Sequence, residues 1–262
     1  MRALPIPLLP LLACLAWPAP AGGQTPQEVV LYGDDSYPPY SFVEQGQFKG
    51  LYVDMIRKAA EALAPEYRVE FRALPWRRGL AELELGTAFA LFSPGMKTER
   101  PFISDYSTEL FRETVVLFCN EDVMKTARSV FPRDFLGLSV GVNAGFLLSE
   151  RLQDAAKSHQ IRLEQAKGAD NNLRKLALKR IDCYATDRGA GLYGARGIPT
   201  AKGARGLRLI EAVELAGEST YIGYSAHNNP PYKAAFIKKM DAALDALKKT
   251  PAMTRIEQEY LR

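Results

Sequence analysis

The chain has 262 residues, 47% hydrophobic and 24% charged, with a formal net charge of +4. This is ordinary globular composition, long enough for one large or two modest domains. The positive charge is not gathered into a stripe, Arg77-Arg78 and Lys248-Lys249 being isolated pairs. Nucleic-acid binding, which needs a clustered basic footprint, is therefore excluded as a reading.

In chain order, residues 1–21 read as a signal peptide. Arg2 is a minimal positive start, residues 4–17 are apolar but broken by Pro5, Pro7 and Pro10, and Ala19-Pro20-Ala21 is a small-residue cleavage pattern. The stretch is too short and too proline-rich for a membrane span, so export is expected. Leu11-Leu12-Ala13-Cys14 also resembles a lipobox, which leaves a lipid anchor through Cys14 as an alternative.

Residues 29–32 read as a short buried strand, followed by a loop over 33–39 and a turn bracketed by Gly46 and Gly50. Val53, Ile56, Ala60 and Leu63 recur at helical spacing, and Pro65 ends that helix. Tyr67, Val69 and Phe71 alternate as in a half-buried strand. Pro75 opens a second helix through Trp76, Leu80 and Leu83, and Gly86 ends it. Residues 88–92 are an apolar strand, and 114–119 another. The order β-α-β-α-β then repeats: strand 138–142, a helix marked by Leu148 and Leu152, strand 161–163, a helix marked by Leu173 and Leu176, and strand 181–185. Each such unit favours a parallel sheet flanked by helices. Residues 189–206 are expected to be loop-rich, 207–210 and 220–225 to be strands, and two helices to close the chain, the second opened by Thr250-Pro251.

Chemistry concentrates after strand 88–92. The strand breaks into Ser93, Pro94 and Gly95 and delivers Arg100 beside Pro101. A guanidinium grips a carboxylate through a fixed fork of donors, and small residues let a ligand approach the backbone. Gly189, Gly191 and Gly194 match the spacing of a dinucleotide fingerprint. That reading fails because Gly197, Pro199, Gly203 and Gly206 forbid the long helix that must follow it. His159 and His227 lack metal-ligand spacing, so no metal is expected. Cys119 and Cys183 lie in predicted strands. They read either as a disulfide, given an oxidising compartment, or as two buried small apolar residues.

Tyr37-Pro38-Pro39-Tyr40-Ser41-Phe42, Gly50-Leu51-Tyr52-Val53-Asp54, Pro75-Trp76-Arg77-Arg78, Lys97-Thr98-Glu99-Arg100 and, further on, Asn172-Leu173 with Arg180-Ile181-Asp182 stand in an order and spacing that resembles bacterial extracellular solute-binding proteins of family 3, the amino-acid type. The resemblance implies an α/β periplasmic-binding-protein fold of two lobes, each a mainly parallel sheet flanked by helices, joined by two crossover strands. Residues 22–118 and 219–262 would form lobe 1, and 119–218 lobe 2. It implies a monomer that captures a small carboxylate-bearing solute, an amino acid or derivative, in a cleft that closes on it. The solute would pass to the membrane permease of an ABC transporter, with no cofactor and no catalysis.

Carried over residue by residue, Arg100 would hold the carboxylate and Asp187 an ammonium, with Tyr37 as an aromatic wall and Asp34 at the lip of its loop. Ser93 would supply a polar contact, while Phe92 and Gly95 stand where hydroxyls are common. Gly145 would sit in the lobe-2 anion turn with Phe146 in place of a hydroxyl residue, and Trp76 at the cleft rim. Phe89 replaces an expected Asp. These departures predict a pocket more apolar than a standard polar amino-acid site. The alternatives the resemblance leaves are a ligand sensor for a signalling receptor and a cyclohexadienyl-dehydratase-like enzyme, which would need a general acid in the cleft.

Overall fold

A computed structural model describes residues 25–199 and 206–261. The signal peptide, Cys14 and residues 200–205 of the glycine-rich stretch lie outside the described residues.

The chain opens with β1 (Gln27–Asp34), a small hairpin sheet of β2 (Ser36–Tyr37), β3 (Ser41–Glu44) and β4 (Gln47–Lys49), and then α1 (Leu51–Ala60). There follow β5 (Tyr67–Leu74), α2 (Trp76–Glu84), β6 (Ala90–Phe92) and β7 (Ile103–Tyr106). Pro75 precedes α2 with its nitrogen where no helical donor is needed, and Gly86 follows at φ 73°, the left-handed position that ends helices. Next come β8 (Phe111–Cys119), β9 (Ser139–Asn143), α3 (Glu150–Lys157), β10 (Arg162–Ala166), α4 (Gly168–Ala177), β11 (Cys183–Asp187) and α5 (Arg188–Ala195). The chain closes with β12 (Ile210–Thr220), β13 (Ile222–Ser225), α6 (Lys233–Lys248) and α7 (Pro251–Leu261).

Two five-stranded sheets organise these elements, in the orders β5-β1-β6-β13-β7 and β10-β9-β11-β8-β12. In each, three strands run parallel and the next two alternate in direction. Each sheet is covered on both faces, which is why its central strands read as unbroken apolar runs. In β8, Val115, Leu117 and Cys119 enter one core while Val116 and Phe118 enter the core on the opposite face. The strands β8 and β12 pair antiparallel along most of their length and carry the chain from the first sheet to the second and back. Cys119 and Cys183 are register partners on β8 and β11, and their sulfurs are bonded.

Two expectations are corrected. Residues 188–195 form a helix rather than loop, because the Asp187 carboxylate accepts the Ala190 N–H and caps its first turn. Its glycines serve close packing: a Cβ on Gly191 would stand 2.3 Å from the Phe118 ring, and one on Gly194 2.6 Å from Leu173. The strand expected at 207–210 is instead β12, which begins only at Ile210 and runs to Thr220. Its alternation is hidden by two bulges against β8.

Candidate functional site

β6 ends in mid-sheet, and the loop that leaves it returns Arg100 to the boundary between the lobes. Turn hydrogen bonds from Arg100 N to Lys97 O (3.1 Å) and from Ile103 N to Arg100 O (3.1 Å) fix the backbone there. Arg100 is only 5% exposed. Its Nη2 donates to Gly145 O across the cleft (3.2 Å), and its guanidinium lies 5.6 Å from the centroid of the Trp76 ring. Among the described residues it forms no salt bridge, and burial lowers its pKa. A buried cation without a carboxylate partner is costly, because its charge is left uncompensated away from water.

The same loop contributes Ser93, Gly95 and Lys97 to a cavity of about 50 Å³ between the lobes. Lys97 Nζ reaches both oxygens of Glu218 on β12, at 3.1 and 2.9 Å, so this cation is already neutralised. Thr220, two residues on, also lines the cavity.

Asp34, the last residue of β1, and Tyr37, from β2, also line the cavity. Tyr37 Oη donates to Glu113 Oε2 (2.6 Å), and Tyr52 Oη donates to Glu113 Oε1. Glu113, on β8, is fully desolvated, which with the nearby Asp187 charge pushes its carboxyl up to about 8. Burial likewise pushes Asp34 up to about 7, against the opposing pull of the Ser36 N–H (3.1 Å).

The second lobe covers the cavity with Phe146, Leu147 and Leu148, from the turn between β9 and α3. Gly145 turns the chain there at φ 84°. Its carbonyl accepts from Trp76 Nε1 (3.3 Å) as well as from Arg100. The Phe146 ring sits edge-on to Tyr37 (5.0 Å) and to Trp76 (5.4 Å). At one margin of the cleft Lys167 pairs with Asp35 (3.2 Å).

Of the residues singled out in the sequence, Asp34, Tyr37, Trp76, Ser93, Gly95, Arg100 and Phe146 meet around this cavity. Gly145 joins them through its carbonyl. Phe92 and Asp187 do not line it. The Phe92 ring turns into the core, against Phe48 and Phe71 and beneath Gly33, where a Cβ would lie 2.4 Å away. Asp187 is 2% exposed and accepts from Tyr40 Oη (2.6 Å), Ala190 N and Thr114 N (both 2.9 Å). Phe89 packs with Tyr224, Tyr232 and Phe236 beneath α6.

Glu113, Leu148, Glu218 and Thr220 were not singled out, and Lys97 and Leu147 were read only as neighbours of Arg100 and Phe146. One of them had a signal: counting along β8, Glu113 shares the inward parity of Val115 and Leu117, so an acid is placed on a buried face. Glu218 and Thr220 had none, because the bulges of β12 erase its parity.

The lobes, crossover strands and inter-lobe cleft define a bilobal solute-binding fold. The model of bacterial extracellular solute-binding proteins, family 3, matches residues 29–262, and the chain belongs to that family. No curated protein matches significantly. Among solved structures, a histidine kinase sensor domain with similarity to periplasmic binding proteins has a TM-score of 0.74 at 21% identity, covering 90% of this chain and 97% of that one. An ancestral arginine-binding protein bound to arginine has a TM-score of 0.74 at 19% identity, covering 91% and 100%. A substrate-binding protein of an amino acid ABC transporter from Streptococcus pneumoniae, bound to L-arginine, has a TM-score of 0.69 at 16% identity, covering 88% and 93%. At these identities the likeness is one of fold.

Proposed function

We propose that the protein captures a small carboxylate-bearing solute of amino-acid size in the inter-lobe cleft, that the lobes close on it, and that the closed form delivers it to the membrane permease of an ABC transporter. The observation that carries this reading is Arg100, a buried guanidinium at the cavity that forms no salt bridge among the described residues. Ser93 beside it and the backbone of Gly95 leave room for a carboxylate to approach. Membership of family 3 supports a small-molecule ligand, and the neighbour from Streptococcus pneumoniae supports delivery to an ABC transporter by analogy of fold.

A thermal-shift screen with amino acids and organic acids tests this. A true ligand at 100 times its dissociation constant stabilises the protein by about 2.7 kcal/mol. Arg100→Ala is expected to abolish that shift, since removing one partner of a buried charge pair costs about 2–5 kcal/mol of affinity. An Arg100→Ala variant that keeps the wild-type affinity by calorimetry would remove the anchor from the proposal.

A further inference from the structure

We propose that the cleft selects small monocarboxylates with an apolar body and no α-ammonium group, the des-amino relatives of amino acids rather than the amino acids themselves; this deepens the carboxylate reading above and rests on it.

Among the described residues, the acids that line the cavity, Asp34, Glu113 and Glu218, are each held by a hydrogen bond or an ion pair. A ligand ammonium needs a carboxylate with a free oxygen facing it, because an unpaired buried charge is strongly disfavoured. Both oxygens of Asp187 are taken, by the Tyr40 hydroxyl and by the amides of Ala190 and Thr114. Reaching it means expelling Tyr40, which is 1% exposed and stacked on Tyr52 with ring centres 5.0 Å apart. Neither Tyr40 nor Asp187 lines the cavity. Glu113 holds a tyrosine hydroxyl on each oxygen. Both oxygens of Glu218 are spanned by Lys97. Asp34 takes the N–H groups of Ser36 and Trp76 and forms no salt bridge among the described residues, and burial raises its pKa against the pull of the nearby Lys167 charge.

The cations are not balanced in the same way. Lys97 is spent on Glu218, while Arg100 meets a carbonyl and an aromatic face and, among the described residues, no carboxylate in ion-pair contact. Arg100 is therefore the cavity's cation without a facing carboxylate, which a ligand carboxylate supplies, while a ligand ammonium finds no free carboxylate oxygen among the described lining residues. The cover decides the rest of the molecule. The side chains that the second lobe turns to the cavity are Phe146, Leu147 and Leu148. With Trp76 and Tyr37 opposite, they form an apolar sleeve beyond the guanidinium. A carboxylate head with a hydrocarbon or aromatic tail matches this division of polar and apolar walls.

The test is calorimetric titration of the protein at neutral pH with matched pairs: 3-phenylpropionate against phenylalanine, 4-methylvalerate against leucine, and butyrate against 2-aminobutyrate. The des-amino member is expected to bind at least about tenfold more tightly in every pair that binds, and Arg100→Ala to lose it. If the amino acid binds within that margin or more tightly and Arg100→Ala still loses it, the selectivity is overturned while the carboxylate anchor stands. If no member of either series binds, the carboxylate reading falls and this inference with it.

Discussion

Glu113 faces the cavity with both carboxyl oxygens on tyrosine hydroxyls, and its proton is coupled to folding. Its folded-state pKa of about 8 lies above the ordinary carboxylate value, so between about pH 4.5 and 8 the folded chain holds a proton that the unfolded chain releases. The stabilisation is fully present below the unfolded value and is lost as pH rises through the folded one. Asp34, raised to about 7, acts in the same direction over an overlapping window. A single such proton gives a slope of at most about 1.4 kcal/mol per pH unit. Glu113→Gln keeps the size and neutral donor character of the protonated acid, so urea unfolding should show a shallower loss of stability between pH 5.5 and 8. An unchanged slope would place the titration elsewhere. The sequence made Tyr37 visible through its Tyr-Pro-Pro-Tyr setting. It did not reveal what Tyr37 holds, because the acid between Tyr37 and Tyr52 is 76 and 61 residues away from them.

At the scale of elements, α5 shows tertiary packing overriding local propensity. Three glycines in eight residues argue against a helix, each costing about 1 kcal/mol relative to alanine. Asp187 starts the helix, and the missing side chains let it lie directly on Phe118 and Leu173. Gly191→Ala gains helix propensity but drives a methyl into a Phe118 ring that is 1% exposed. Overpacking of about 1–3 kcal/mol outweighs that gain. Denaturant unfolding should therefore report a less stable protein, by about 1 kcal/mol, and a variant as stable as the parent would contradict the packing argument. Elements with an uninterrupted period, such as α2, α6 and the strand run 114–119, were legible in the sequence. β12 was not, since two bulges break its alternation and its charged residues resemble loop. Asp187 was legible as a position but not as a role: the residue that caps α5 and receives Tyr40 is fixed by packing that no local pattern records.

For the whole molecule, the repeated β-α-β-α-β order announced two sheets, and the composition announced nothing about how they meet. One point where they meet is the carbonyl Gly145 O, which takes both Trp76 and Arg100 from across the cleft. A Cβ on Gly145 would stand 3.0 Å from Arg77 and 3.2 Å from Trp76, both on the opposite lobe. Gly145→Ala therefore penalises this approach of the turn to Trp76 and Arg77, in addition to the backbone strain of an alanine at φ 84°. If ligand capture proceeds through hinge closure, this variant should bind about tenfold or more weakly while remaining folded. Calorimetry paired with small-angle scattering would check it, and wild-type affinity would show that closure does not pass through this contact.

The Cys119–Cys183 bond has a mechanical consequence. It joins the far end of β8 to the start of β11, 64 residues later in sequence, and encloses β9, α3, β10 and α4 in one covalent ring. Tension applied to the two ends of the chain crosses from sulfur to sulfur and never enters that ring. The first lobe, the crossover strands and the segment through β11 and α5 would bear the load, while β9, α3, β10 and α4, with Phe146, Leu147 and Leu148 in the turn between β9 and α3, stay slack.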